Sequence, residues 1–575
     1  MTEPTATDLN FRRYSEARLM GLRTNRYSWW THWRELGDYF LPRRYKWLIT
    51  PNQMMRGSPI NQHILDSSAC IFARNLASGL VSGKSSPTMP WFRLKIGRID
   101  STMTSPISLW LAECERLLYL IFAESNFYNS IAVFYHDLVI FGTASMLIYE
   151  DFENVITCVN PCLGEYYIDI DGQYRPCIFY REFTYTVQAC VSEFGLENCS
   201  ETIQRLYTQS NGSGLSQEIV IAHSIEPNND GRAREFGFSP KFEYREAYWE
   251  WGGSASPQGG SSSGTAFLRR KGYYSRPNIT GRWDVVSNDP YGRSPAMDAL
   301  PDQKQLQLET RRKAQAIDKM VNPPLVADMQ LKNQPANLTP GGMTYISGYA
   351  ANGKAGLSSV YDTRFPVAEI TEDLNEVKLR MSQIFFNDVL KVASQYETRS
   401  NVTAVEWDLR KSESLIMLGP ALERIDHEVL KLVIDRTFDV ANRAGIIPPP
   451  PPEIQGQMMN ISFISMLQQA QAATQAASIE RVLSLAGNIV GVKPDAMDNI
   501  DVDYSLDKYS HLLNNDPKMI RSPEMLMQIR QQRAQQEQAA QQAQIADQLS
   551  AGAKNLASAD VGGGQNALEA MLEGG

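Results

Sequence analysis

Two observations predict an α+β protein. Between Ala144 and Val286 the chain breaks into short alternating runs separated by turn residues, such as Ile178-Phe179-Tyr180-Arg181-Glu182-Phe183 and Phe242-Glu243-Tyr244-Arg245-Glu246-Ala247-Tyr248. That alternation is the mark of half-buried strands. On both sides of this region apolar residues recur at helical spacing. The clearest case is Val367, Ile370, Leu374, Val377, Met381 and Ile384, whose alternating steps of three and four draw a seam down one helix face.

Taken in order, residues 11 to 50 are helical in pattern and carry Trp29, Trp30, Trp33, Tyr39 and Phe40, with Pro42 ending the element. Ile60 to Leu80 reads as a second helix through Ile64, Ala69, Phe72, Ala73, Leu76 and Leu80. Leu109 to Ala123 and Ile131 to Phe141 read as two more. The β-rich stretch follows, and within it Gly252 to Gly264 has the composition of a flexible surface loop. A helix is expected to start at Pro301, since proline suits a first turn, and to run to Met320. It is polar on nearly all sides, so it needs neighbours to be stable. Asn322-Pro323-Pro324 stops it, and a turn-rich insert with Pro340-Gly341-Gly342 follows. The seam helix then spans Pro366 to Ala393. After the polar loop Ser394 to Val402, Thr403-Ala404-Val405-Glu406 supplies a capping box for a long returning helix to Ala444, kinked at Gly419-Pro420. Pro448 to Pro452 is a stiff break, Ile461 to Gly487 is again helical, and Pro523 to Leu549 is a Gln/Ala-rich helix or low-complexity tail.

Bulk properties exclude several classes. With 575 residues, several domains are expected. The formal charge of −9 argues against a protein whose main task is gripping nucleic acid, so any DNA contact should be local and weak. Met1 to Asn10 lacks the apolar core of a secretory signal. The apolar stretch Ile131 to Ile148 is interrupted by His136, Asp137 and Gly142, and reads as a buried element, not a membrane span. An odd count of seven cysteines fits reduced thiols in a cytoplasmic folding compartment.

The chemistry-bearing motifs are weak. Ser78-Gly79-Leu80-Val81-Ser82-Gly83-Lys84-Ser85 approaches a phosphate loop, but the spacing from Gly79 to Gly83 is one residue short and the context is a helix end. A Gly/Ser helix stop is the plainer reading. Cys158 and Cys162 have no second close pair, so buried thiols are preferred over zinc. The six histidines are scattered, and Glu372-Asp373 solvates a helix surface. No catalytic, cofactor or metal centre is expected. Basic residues near the central helices are more suggestive: Arg311-Arg312-Lys313, Lys319, Lys378, Arg380, Lys391 and Arg399. They form either salt-bridged helix faces or non-specific phosphate contacts.

Four blocks carry a resemblance to the portal, or head-to-tail connector, proteins of short-tailed bacteriophages. They are Ile64-Leu65-Asp66-Ser67 through Leu76-Ala77-Ser78-Gly79-Leu80 to Pro90-Trp91-Phe92-Arg93-Leu94; His136-Asp137-Leu138 with Phe141-Gly142-Thr143-Ala144; Tyr291-Gly292-Arg293-Ser294-Pro295 with Ala299-Leu300-Pro301-Asp302; and Gly419-Pro420-Ala421-Leu422 with Glu428, Pro448-Pro449-Pro450 and Ile461-Ser462-Phe463-Ile464-Ser465. The resemblance implies a ring-forming portal fold. Residues 1–300 would be N-terminal helices and β-rich wing, 301–320 and 366–393 the stem helices, and 321–365 the clip between them. Residues 394–402 would be a tunnel loop, 403–446 a kinked wing or crown helix, 447–523 the crown, and 524–575 the tail. It also implies rings of about twelve copies at one capsid vertex, and a role as a DNA conduit without enzymatic activity. The implied partners are the major capsid protein, scaffolding protein, the terminase large subunit, a tail adaptor and passing double-stranded DNA, with no membrane. The implied locations are the virion and, during assembly, the host cytoplasm. Lys378, Arg380, Lys391, Gln395 and Arg399 are the channel candidates, and Lys332, Asn333, Tyr349 and Lys354 the docking candidates. The rivals are a ring-shaped tail adaptor or minor capsid protein, which is generally shorter and lacks the insert between stems, and the packaging ATPase, which needs an intact nucleotide loop.

Overall fold

The computed structural model describes residues 5–42, 44, 64–96, 106–209, 212–251, 267–321, 325–327, 357–359, 366–387, 418–454, 459–463, 466–490, 501–512 and 523–558. Helices and antiparallel sheets are mixed in a chain of two compact units. One unit comprises Met1–Phe92, Leu117–Ile447 and Phe463–Ser465; the other comprises Arg93–Arg116, Pro448–Ser462 and Met466–Gly575.

The first unit opens with helix α1, Ala6–Phe40. Thr5 accepts the Asp8 amide while the Asp8 carboxylate accepts the Thr5 amide, so two of the orphan donors at the helix start are satisfied. Its buried stripe contains Phe11, Leu19, Leu22, Trp33, Leu36 and Phe40. Helix α2 is Ser68–Lys84. It begins later than the expected Ile60 because the Asp66 carboxylate takes the Ser68 amide (2.9 Å) and hydroxyl (2.5 Å) and fixes the start there. It continues through Gly79 and Gly83 and stops at Lys84, with Ser85 as the C-cap, so the expected helix stop falls at the end of the motif. The amides a phosphate loop would present are therefore spent on the helix ladder, and Lys84 is ion-paired with Asp426 at 2.7 Å.

Short strand β1, Phe92–Ile96, precedes α3, Pro106–Glu124, and α4, Phe127–Phe141. Ile131, Phe134, Leu138, Val139 and Ile140 of α4 are fully buried, and no single described helix is long and apolar enough to cross a membrane. Gly142 ends α4 at φ +74°, where a Cβ would lie 2.4 Å from the Gly292 carbonyl oxygen. Only glycine allows both that conformation and that approach.

Strands β2 (Thr143–Asp151), β3 (Val155–Val159) and β9 (Asn278–Arg282) form a sheet in the order β3-β2-β9. The larger sheet has the order β4-β5-β6-β7-β8, from Tyr166–Asp169, Ile178–Thr186, Glu218–Pro227, Tyr244–Glu250 and Arg269–Tyr273. Every pairing in both is antiparallel. Phe11, Leu19 and Leu22 of α1 pack with Tyr167, Tyr180, Ala222, Ala247 and Trp249 in one core cluster. Two short helices absent from the sequence reading, α5 (Val187–Phe194) and α6 (Glu201–Thr208), contribute to a second with Phe183, Ile221 and Tyr248.

Helix α7 is Pro295–Val321, with Pro301 inside it, not at its start. The Met297 amide donates to Ser294 Oγ at 3.2 Å, so Ser294 caps the helix and Pro295 is the proline of the first turn. Strands β10 (Leu325–Ala327) and β11 (Leu357–Ser359) pair antiparallel, Leu325 opposite Ser359. Helix α8, Val367–Ile384, stops short of the expected Ala393. Phe385 is buried at 5.9 Å from Phe40, Phe386 turns to φ +51°, and Asn387 bonds the Asn75 side chain at 2.9 Å and the Phe72 carbonyl at 3.1 Å. The helix is thus interrupted at Phe385–Phe386, Asn387 is again helical, and residues 388–393 lie outside the described residues. Residues 418–425 are helical, with Pro420 in the first described turn, and a π-helical turn at Asp426–Leu430 leads into α9, Lys431–Arg443; the turn preceding Gly419-Pro420, where the expected kink would act, lies outside the described residues. The capping box at Thr403 lies outside the described residues.

In the second unit, strand β12 (Met459–Phe463) pairs with β1. Ile461 to Phe463 are thus strand, not helix, and helix α10 begins at Met466 and runs to Val490. Their alternating Ile-Ser-Phe pattern suits a strand given a partner, and β1 is that partner. Helices α11 (Val502–Leu512) and α12 (Pro523–Ser558) follow, joined by an Arg530–Asp503 ion pair of 2.7 Å. The tail is therefore helical to Ser558.

A candidate channel and docking hairpin

Helices α7 and α8 pack antiparallel, and strands β10 and β11 between them in sequence pair antiparallel. Arg380 reaches Asp302 at 3.5 Å, Lys313 Nζ donates to Thr371 Oγ1 at 2.8 Å, and Leu325 faces Ser359. The partners step inward together, so one register carries from helix pair to ribbon. Leu306 of α7 and Leu374, Val377 and Met381 of α8 are buried along the seam, and the spacing of the three α8 residues was visible in the sequence.

The two ends of α7 differ. Near its start, polar residues are consumed by anchoring. Gln307 Oε1 accepts the amides of Leu65 (2.7 Å) and Asp66 (3.0 Å), and its Nε2 donates to the Asp66 carbonyl (2.7 Å). Gln303 donates to the Tyr39 carbonyl, and Lys304 pairs with Glu35 at 2.7 Å. Beyond Gln307 the only buried residue of the helix is Ala316. Leu308, Ile317, Met320 and Val321, with Leu379 of α8, are exposed. This answers the puzzle of a helix polar on all sides: half its polar groups bind the chain's own scaffold, and the far half presents apolar and basic groups outward.

Of the channel candidates, Lys378 is ion-paired with Asp66 at 2.7 Å, and Arg380 with Asp302 and, at 3.2 Å, Glu376. Against the upward push of burial, the bonds from Lys378 and Ser68 hold the Asp66 carboxyl below its usual range. These two cations already have carboxylates. Arg311, Arg312 and Lys319 of α7 are exposed and form no ion pair with another described residue. Sequence analysis singled out this basic run but ranked it below Lys378 and Arg380, because pairing partners distant in sequence leave no local signal. Lys391, Gln395 and Arg399, and the docking candidates Lys332, Asn333, Tyr349 and Lys354, lie outside the described residues.

The thiols are unpaired as disulfides. Cys158 and Cys162 are pushed up to about 12 by burial, which makes them poor nucleophiles and poor metal ligands. Among the described residues no group of three or more His, Cys, Asp or Glu is arranged to hold a metal.

The hairpin is anchored to the chain's own scaffold at one end and carries exposed apolar and basic side chains toward the other. Residues 12–520 match the family described as bacteriophage head to tail connecting protein, and the chain belongs to that family. It is 38% identical over 568 residues to a probable portal protein of Bordetella phage BPP-1, covering 99% of this chain and 98% of that one. It is 34% identical over 546 residues to the portal protein of Salmonella phage epsilon15, covering 94% and 95%. The four sequence blocks noted above all fall within the matched span.

Proposed function

We propose that this chain is the portal subunit of a phage particle. Copies close into a ring of about twelve through a head-to-tail interface whose rotation closes on itself. The ring occupies one capsid vertex, admits DNA driven by the terminase, and then receives the tail adaptor. Scaffolding and major capsid proteins hold it during assembly in the host, and the virion retains it at the head–tail junction. The role is structural, without catalysis.

The observation that carries this reading is the antiparallel hairpin, with Leu308, Ile317, Met320 and Leu379 exposed on different sides of it. Exposed apolar side chains on several sides of a helix pair are covered when identical subunits pack against both flanks. Helices α7 and α8 then serve as stem, and the segment between β10 and β11 as the clip that meets terminase and tail. Exposed Arg311, Arg312 and Lys319 touch phosphates without reading sequence, and the net charge of −9 limits their grip on moving DNA. Excising residues 328–356 and joining β10 to β11 by a short turn tests this. Capsids still assemble around the shortened ring but remain empty of DNA; normal filling overturns the clip assignment.

A further inference from the structure

Two thiols beside the large sheet are in direct contact. Cys190 Sγ and Cys199 Sγ lie 4.0 Å apart, and both residues are fully buried. Cys190 belongs to helix α5, and Cys199 follows the short turn Leu196–Asn198 that leads from α5 to α6. Both sit in the second core cluster, with Val187, Phe194 and Ile203.

The contact is polarised. Cys199 Sγ donates to the Gly195 carbonyl at 3.2 Å, so the Cys190 thiol is the donor between the two sulfurs. A donor aimed at Cys199 favours its thiolate and holds that thiol below its ordinary value, against burial and the Glu250 carboxylate. The same bond, with burial, pushes Cys190 up. Cys199 is therefore the sulfur that ionises first.

The chain between the sulfurs is able to close the gap. Bonded sulfurs stand about 2 Å apart, so the separation must shrink by about the same amount. Gly195 lies between them at φ +82° and ψ 145°, a conformation open in practice to glycine alone. The turn after it is at the surface, with Glu197 and Asn198 exposed. Its tethers are side-chain hydrogen bonds: Gln204 Nε2 donates to the carbonyls of Leu196 (3.1 Å) and Cys199 (2.9 Å), and Asn198 Nδ2 to that of Phe194 (2.8 Å). Local opening of such a turn admits a small oxidant while the sheet stays folded.

We propose that Cys190 and Cys199 are a disulfide-forming site, closed by hydrogen peroxide. The Cys199 thiolate attacks one peroxide oxygen. The O–O bond breaks, hydroxide leaves and takes up a proton as water, and Cys199 becomes a sulfenic acid. The Cys190 sulfur then attacks the Cys199 sulfur. The S–O bond breaks, and hydroxide leaves with the Cys190 proton as a second water. Two thiols have lost two electrons, and one peroxide has been reduced to two waters. The new bond staples α5 to the start of α6. The portal reading supplies the occasion, since thiols stay reduced during assembly in the host and a released particle meets an oxidising medium. The chemistry itself needs no ring.

The full-length chain, purified with reductant and then freed of it, is treated with a small excess of hydrogen peroxide, denatured and alkylated. Two fewer thiols react than the seven of untreated protein. Glu193 and Glu197 lie between the two cysteines, so cleavage after glutamate gives two peptides that stay joined until reductant is added. Amide exchange in α5 and α6 slows by about tenfold. Cys199→Ser abolishes the link, whereas Cys158→Ser with Cys162→Ser keeps it. Seven alkylated thiols after peroxide, a link through other cysteines, Cys199 driven to sulfinic acid with Cys190 free, or a link that leaves exchange unchanged overturns the proposal. The readout is the same for a monomer and a ring, so failure of the ring reading leaves this site standing.

Discussion

The large sheet and the α7–α8 hairpin answer the same problem, polar residues inside helices and strands, in opposite ways. In the sheet the charges are closed off within one chain. Arg245 lies between Glu226 (2.7 Å) and Asp230 (2.9 Å), and Tyr180 donates to Glu226. Beside it, Arg181 donates to His223 Nδ1 at 3.0 Å, which leaves the His223 Nε2 proton for Glu246 at 2.8 Å, and Tyr273 donates to the other Glu246 oxygen at 2.8 Å. Although burial opposes it, the bonds from His223 hold the Glu246 carboxyl below its usual range. On the hairpin, apolar and basic side chains face outward instead. A satisfied network makes a rigid body; exposed apolar side chains leave surface that a partner can cover.

That contrast yields predictions on the chain's own stability. The largest effect is in the sheet. Arg245→Ala strands the buried Glu226 carboxylate and costs about 3–5 kcal/mol in denaturant unfolding; a cost under about 1 kcal/mol would mean that the network is not closed.

Acid comes next. Burial pushes His223 down to about 4 from an ordinary 6.5. Between those values the unfolded chain binds a proton that the folded chain refuses. The contribution of His223 is therefore complete above the unfolded value and is lost as pH falls toward the folded one, on the order of 3 kcal/mol in all. Asp137, pushed up to about 6 by burial, runs the opposite way. The His223 ring resonance is therefore the readout, and it stays that of a neutral ring until pH approaches 4. Titration near 6.5 would break the account.

On the hairpin the effects are smaller. Lys378→Ala removes a pair whose lysine is 35% exposed and costs about 0–1 kcal/mol. It leaves DNA packaging intact, because Asp66 already occupies that cation; a packaging defect in a well-folded ring would return Lys378 to the channel. Smallest of all, Leu308→Glu with Leu379→Glu changes unfolding of the isolated chain by no more than about 0.5 kcal/mol. The same pair of changes abolishes ring assembly, seen as monomer by light scattering. Equal loss of both would place these leucines in the core.

What was legible in the sequence follows the same division. The seam of α8 and the strands of the large sheet could be read because period and alternation are local. The start of α7 was misplaced because Pro295 and Pro301 both suit a first turn, and only the Ser294 cap decides. The end of α8 was misplaced because Phe385 and Asn387 are held by Phe40, Phe72 and Asn75, more than three hundred residues away in sequence. For the same reason the pairing of Ile461 to Phe463 with β1 gave no local sign. The channel candidates depended on which cations lack a carboxylate, and Asp66 and Lys378 meet only in the fold.

The central claim is that the hairpin face is unfinished until identical subunits cover it. Electron microscopy of the purified chain, paired with native mass measurement across concentration, tests this most directly. The account predicts closed rings of about twelve copies with an axial hole and with α7 and α8 of neighbouring subunits in contact. A monodisperse monomer at every concentration would contradict it.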